Sequence, residues 1–268
     1  MHVYVSIDME GVAGVATKDQ VRPGGGGYPR AQELMTEEAN AVIRGSFAGG
    51  ATAVTVNDSH GPMDNLLHEQ LDERCRVIVG RPKAHGMVNG IASDVDLAMF
   101  VGYHAPAGEI GVLAHSFSSA AFARLWLNGE IASELWVNSL FAASQGVPTG
   151  LVSGDNVICS EAQQRLPNVN AVEVKTAEGF SAANSLQPAV ARNALEDGAH
   201  KAVAHVGVHQ APEIPEELVL EAEMTSPTAA EVAAFVPGTE RVNAVTVRRK
   251  VASTADLIGL ISVWTKLA

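Results

Sequence analysis

Leu97-Ala98-Met99-Phe100-Val101 is an unbroken apolar run. A strand with water on one face alternates polar and apolar residues. A strand without alternation needs cover on both faces, as in a parallel sheet flanked by helices. The surrounding chain keeps the matching rhythm. Val3, Val5 and Ile7 alternate with Tyr4 and Ser6, which predicts a first strand. Ala31, Leu34, Met35, Ala39, Val42, Ile43 and Phe47 keep a helical period, so a helix is predicted from about Arg30 to Ala48, stopped by Gly49-Gly50. Ala53 to Val56, Arg76 to Val79, Thr149 to Val152 and Ala171 to Val174 read as further strands. Glu134 to Ser144 and a segment ending near Arg165 read as helices, and Asn128-Gly129 signals a tight hairpin. Strands alternating with helices imply an α/β fold with a mostly parallel sheet flanked by helices.

After Thr176 the rhythm loosens. A helix (Pro188 to Asp197), a strand (Leu218 to Glu223), a helix near Glu231, a strand (Val242 to Val247) and a terminal helix (Thr254 to Lys266) predict a second, smaller α+β domain. The expected division is 1–176 for the α/β domain and 177–268 for the smaller one. Gly24 to Gly27 reads as a flexible solvated insertion in preference to a lid.

Three predicted strands end in side chains that ligate metals: Asp8 and Glu10, then Asp58 and His60, then His104. Parallel sheets bind ligands outside the carboxyl ends of their strands, so adjacent strands would gather these groups on one rim. Asp8 and Glu10 are two residues apart and share a face in extended chain. Carboxylates packed at a buried rim repel, and burial disfavours their charge. A divalent cation relieves both costs, and mixed carboxylate and imidazole ligands suit zinc ahead of manganese or iron. Two carboxylates and two histidines fill one site. Glu134, at a predicted helix start, could be a fifth ligand. Five ligands with one bridging carboxylate describe a two-metal hydrolase with metals ~3.5–4 Å apart. Asp8, a short carboxylate at the end of the first strand, is the natural bridge. His115, in the Gly- and Ser-containing segment Gly111 to Ser116, is placed to act as general acid/base or nucleophile. Asp58 reads equally well as a brace for the His60 loop, Asp155 as a helix N-cap, and Glu130 as an exposed turn residue.

Composition narrows the function classes. Of 268 residues 47% are hydrophobic and 18% charged, which excludes a disordered chain and suggests surface hidden in subunit contacts. Eighteen Lys and Arg against thirty Asp and Glu give a net charge of −12. That disfavours nucleic acid and anionic membrane surfaces, which both select clustered positive charge. No apolar run approaches the ~20 residues of a membrane span. Met1 to Val5 lacks the features of a secretory leader, and Cys75 and Cys159 form no CxxC pair. The expected location is cytoplasmic.

Several segments together resemble one family. Ser6-Ile7-Asp8-Met9-Glu10-Gly11 fits an S-x-D-x-E-G signature. Met35 to Asn40, Val56 to His60, Gly102 to Ala105, His115-Ser116 and Pro237 to Glu240 match in order and at similar spacing. The chain is similar to the zinc-dependent D-aminopeptidases of the DppA type. The resemblance implies a dinuclear zinc site, two Zn2+ per subunit. Asp8 would bridge the ions, Glu10 and His104 would complete one, and His60 and Glu134 the other. His115 would be the catalytic residue, described in the family as the nucleophile. It also implies a ring-shaped homodecamer and short peptide substrates with an N-terminal D-residue, notably D-Ala. Two rival readings are a two-metal phosphoesterase, which normally recruits Lys and Arg clamps, and a non-catalytic metal-binding protein. Arg81, Lys83 and Arg124 are the basic residues available to such a clamp.

Overall fold

The structure is a computed structural model and describes residues 1–268. In chain order its strands are β1 (His2–Ile7), β2 (Ala53–Asp58), β3 (Cys75–Ile78), β4 (Leu97–Tyr103), β5 (Phe122–Leu127), β6 (Glu130–Ile131), β7 (Thr149–Asp155), β8 (Asn170–Gly179), β9 (Ala182–Ser185), β10 (Leu218–Met224), β11 (Glu240–Arg241) and β12 (Thr246–Val251). The helices are α1 (Lys18–Val21), α2 (Tyr28–Ala48), α3 (Glu134–Ser144), α4 (Asn156–Arg165), α5 (Pro188–Ala204), α6 (Pro227–Ala233) and α7 (Thr254–Leu267).

One sheet has the order β3-β2-β1-β4-β7-β8-β9, parallel throughout except for β9, which runs antiparallel to β8. The mostly parallel α/β fold is therefore as the apolar runs predict. Every residue of β4 is buried. Val3, Val5, Ile7, Met99 and Val101 face α2 and α5, whereas Tyr4, Phe100 and Tyr103 face α3, α7 and the second sheet. The alternation along β1 and β4 thus divides the interior into two cores, one on each side of the sheet.

The second sheet is antiparallel, in the order β11-β12-β10-β5-β6. It takes the β5–β6 hairpin from the first half of the chain, whereas the first sheet keeps β8 and β9 down to Ser185. Two predicted elements shift, and one loop is held more firmly than expected. The helix expected over 188–197 continues to Ala204 and packs on α2, not in the second layer. Gly198 is no stop: a Cβ there would lie 3.0 Å from both Leu151 Cδ1 and Val172 Cγ2, so glycine lets the helix lie close on the sheet. The strand expected over 242–247 is displaced to β12. Asn243 Oδ1 accepts from the backbone N–H groups of Val245 and Thr246 and turns the chain before that strand starts. The Gly24 to Gly27 loop is pinned, since the Asp19 carboxylate accepts from Gly26 N and Gly27 N.

Candidate metal centre

β1 lies between β2 and β4, where the strand order reverses direction. At such a switch point the connections leave in opposite directions and open a crevice at the carboxyl ends of the strands. Ile7 pairs with Asp58 on one side and Val101 on the other, so the turns after the three strands start level. Asp8 and Glu10 come from the β1 turn, His60 from the β2 turn and His104 from the residue after β4. Glu134 is the first residue of α3, where the helix dipole favours a carboxylate.

The β1 and β4 turns interlock. Asp8 N donates to Val101 O (2.8 Å) and Gly11 N to Gly102 O (2.7 Å). A Cβ on Gly11 would stand 2.0 Å from the Tyr103 carbonyl oxygen, which explains why the signature closes on glycine. Beneath the turns, Ser6 Oγ bonds Ser59 Oγ (2.7 Å) and Tyr103 OH (2.8 Å), and Asn138 Nδ2 donates to that phenol (3.0 Å). This buried network ties β1, the β2 turn, β4 and α3 together.

Asp8, Glu10, His60, His104 and Glu134 are at most 6% exposed and are linked in a chain of close approaches. His60 Nδ1 is 2.8 Å from Glu10 Oε2 and 3.3 Å from Asp8 Oδ1. His104 Nε2 is 3.5 Å from both Asp8 Oδ2 and Glu134 Oε1. No His60–Glu134 pair lies within 4 Å; the carboxylates nearest His60 are those of Glu10 and Asp8. His115 is 3.9 Å from Glu134, and its ring stacks on His104 with centroids 4.3 Å apart. Two trios each bring one ligand atom per residue within 4.8 Å: Asp8, Glu10 and His104, and His104, His115 and Glu134.

The proton inventory is informative. His60 Nε2 bonds the Val21 carbonyl (2.7 Å), His104 Nδ1 that of Ala105 (2.9 Å) and His115 Nδ1 that of Leu113 (2.9 Å). A carbonyl only accepts, so each of those ring nitrogens carries the hydrogen. In a neutral ring the opposite nitrogen bears a lone pair, and in all three it faces carboxylates. His104 Nε2 is buried with no hydrogen-bond partner, because 3.5 Å is too long for a good bond. Lone pairs and carboxylates converging on shared space are a donor set for divalent cations, and the backbone carbonyls are the outer partners that orient ligating imidazoles.

The ionisation behaviour agrees. Burial, then the Glu10 charge, raises the Asp8 carboxyl to about 8. Burial would raise Glu10 too, but the His60 charge and hydrogen bond outweigh it and hold it well below the usual carboxylate range. Burial opposes charge on His104, but the Glu134 carboxylate overcomes it and lifts the ring to about 10. Glu134 is held low, its burial outweighed by His104. Without a cation the group therefore tolerates its charge only by holding protons.

The other assigned residues have other roles. Asp58 braces the loop after His60, accepting from the backbone N–H groups of Asn65 and Leu66 and from Asn65 Nδ2. Asp155 caps α4 through Ile158 N and also accepts from Val112 N. Glu130 is exposed and pairs with Arg165. Lys175 was not foreseen. Its side chain is buried, and Nζ donates to the carbonyls of Glu10, Val12 (3.0 Å) and Val15 (2.6 Å), fixing the turn that presents Glu10. A lone lysine in the apolar run of β8 was the available signal. Replacing Lys175 with methionine leaves three carbonyls without their donor, at ~1–3 kcal/mol for each buried group left unmatched. The expected loss is about 3 kcal/mol or more in urea denaturation; a loss below ~1 kcal/mol would show the turn to be independent of this side chain.

Asp8, Glu10, His60, His115 and Glu134 line one cavity of about 830 Å³, and α7 forms part of its wall through Ile258 and Ile261. Fold and site together define an α/β protein with a crevice at the switch point of its sheet whose donors suit a divalent cation. The sequence profile of peptidase family M55, described as D-aminopeptidase, matches residues 1–263. The chain is 34% identical to the D-aminopeptidase of Bacillus subtilis (strain 168) over 269 aligned residues, covering 100% of this chain and 98% of the relative. It superposes with a TM-score of 0.95 on the solved structure described as Zn-dependent D-aminopeptidase DppA from Bacillus subtilis, a self-compartmentalizing protease. That match has 34% identity and covers 100% of this chain and 97% of the other. The chain belongs to the D-aminopeptidase family, peptidase family M55. It is accordingly an enzyme, a hydrolase acting on peptide bonds.

Proposed function

We propose that the chain is a zinc-dependent aminopeptidase that removes the N-terminal residue, D-alanine foremost, from short peptides, with two zinc ions in each subunit. The observation that carries this reading is the common arrangement of three imidazoles. Each gives one ring nitrogen to a backbone carbonyl and turns the other toward buried carboxylates. Asp8 suits the bridging role because Oδ1 faces His60 and Oδ2 faces His104. We assign Glu10 and His104 to one ion and His60 and Glu134 to the other. All five ligands fall within 1–176, which we treat as the catalytic domain, with 177–268 as the smaller domain that supplies α7 to the cavity.

When bound, zinc supplies the Lewis acidity that polarises the scissile carbonyl. The chain supplies the rest. His115 is 20% exposed at its side chain and so is open to the cavity, unlike the buried His104 beneath it. Its bond to Leu113 O leaves the lone pair on Nε2, the tautomer required of a nucleophile or a general base. Phe117 N donates to Glu134 Oε1 (2.6 Å) and so fixes that carboxylate against the loop carrying His115. The self-compartmentalizing relative supports a homo-oligomer here as well, and we propose a decamer. No helix is long and apolar enough to cross a membrane. The unpaired Cys75 and Cys159 are in keeping with our proposal of a cytoplasmic enzyme.

The test uses D-Ala and L-Ala p-nitroanilides, with bis-p-nitrophenyl phosphate as counter-substrate, before and after chelation. Turnover of the D-Ala substrate that chelator removes and zinc restores is expected, with close to two zinc ions per chain by elemental analysis. Absence of anilide hydrolysis under every divalent metal tried, or turnover of the phosphodiester alone, would refute the peptidase reading.

A further inference from the structure

The cavity is polarised. Its carboxylates, Asp8, Glu10 and Glu134, all lie on the floor, and Arg81, Lys83 and Lys266 line the same space. An apolar band that includes Met63, Phe117 and Ile261 completes the lining. None of the three cations pairs with a carboxylate, although the chain carries a net charge of −12. Lys83 is committed to structure, since Nζ donates to Asn57 Oδ1 (2.6 Å) and Asp58 O (2.6 Å). Burial lowers it to about 8, with the Asp58 carboxylate opposing that shift and the neighbouring Arg81 charge adding to it.

Arg81 is different. Nη1 donates to Gly61 O (2.7 Å), which anchors the guanidinium to the residue that follows His60. The other guanidinium N–H donors have no protein acceptor, and the side chain is exposed at the mouth. A guanidinium held by one nitrogen, with its remaining donors free, suits two-point recognition of a planar carboxylate. Its anchor, Gly61, directly follows the buried His60, which ties the guanidinium to the segment that carries that imidazole. Guanidinium and floor line one cavity of about 830 Å³, a space that suits a ligand of a few residues touching both.

The geometry points to Arg81, assisted by Lys266, as the subsite for the free α-carboxylate of a short peptide whose first carbonyl lies over the acidic floor. This rests on the aminopeptidase reading and narrows its substrate class to peptides of a few residues with an unblocked C-terminus. A long or C-terminally blocked chain would leave the guanidinium without its anion.

The zinc-loaded enzyme is assayed on D-Ala-D-Ala and on its C-terminal amide, as wild type, Arg81→Gln and the double variant Arg81→Gln/Lys266→Gln. Wild type should prefer the free acid by about tenfold or more in kcat/KM, through KM and not kcat, as loss of a charge-assisted contact entails. Arg81→Gln should reduce that preference severalfold, and the double variant should abolish it. Equal use of acid and amide by wild type, or an undiminished preference in both variants, overturns the subsite while leaving the peptidase reading intact. If neither peptide is cleaved, the peptidase reading fails, and calorimetric binding of the same two peptides decides the subsite. Tighter binding of the acid that Arg81→Gln removes sustains it; equal binding of acid and amide overturns it.

Discussion

Asp8→Ala is expected to abolish peptide hydrolysis and to leave the purified protein without bound zinc. Asp8 is the residue shared between the two halves of the centre, with one oxygen toward His60 and the other toward His104. On the proposed arrangement its loss removes the one carboxylate within 3.5 Å of both His60 and His104. A metal that stabilises transition-state charge contributes several kcal/mol. At ~1.4 kcal/mol per decade that is a fall of about 10³-fold or more in kcat/KM. Stability gives a second readout. A ligand that binds only the folded state raises the melting temperature, so chelator should lower it in wild type and leave it unmoved in the variant. Zinc affinity in wild type should also climb with pH. At pH 7 the metal-free site holds protons on Asp8, at about 8, and on His104, at about 10, and loading must expel them. Raising the pH through 8 removes the first of these competitors. An Asp8→Ala protein that retains two zinc ions would sink the bridged centre.

His115→Ala should separate chemistry from metal binding. The variant is expected to lose about 10²–10⁴-fold in kcat, the usual contribution of a positioned proton-transfer or nucleophilic group. Its zinc content should stay near that of wild type. His115 stacks on His104 and approaches Glu134, and neither of its ring nitrogens pairs with Asp8 or Glu10 within 4 Å. The competing possibility is also written in the geometry, since His104, His115 and Glu134 form one of the two close trios. Elemental analysis distinguishes them. If zinc falls in step with activity, His115 is a ligand and the catalytic assignment must be abandoned.

The candidate centre was legible in the sequence because its ligands sit where local patterns change. Asp8, His60 and His104 each follow an apolar strand, and Glu134 opens a helix. Periodicity shows where such elements end. What joined across distance was not legible. β5 reads locally as a hairpin arm, but its partner is β10, some ninety residues later, as in Leu127 beside Leu220. Nothing within six residues could indicate that second sheet. Lys175 escaped notice for a related reason. A lysine in a strand reads as a solvent-facing position, and only the folded turn of Glu10 to Val15 supplies the carbonyls that hold its ammonium in the interior. The helix expected to end at Asp197 runs on through Gly198, whose bare Cα lets it lie close on Leu151 and Val172, a long-range packing that no local pattern announces.

The interlocked turns of β1 and β4 have an evolutionary corollary. With Gly11 pressed onto the Tyr103 carbonyl and Asp8 N bonded to Val101, the ligand-bearing floor admits almost no variation. The wall formed by Ile258 and Ile261 belongs to a terminal helix that shares none of those bonds. The floor and this part of the cavity wall are thus carried by separate stretches of polypeptide. A laboratory seeking altered preference should randomise one face of α7 and expect the floor to keep its geometry.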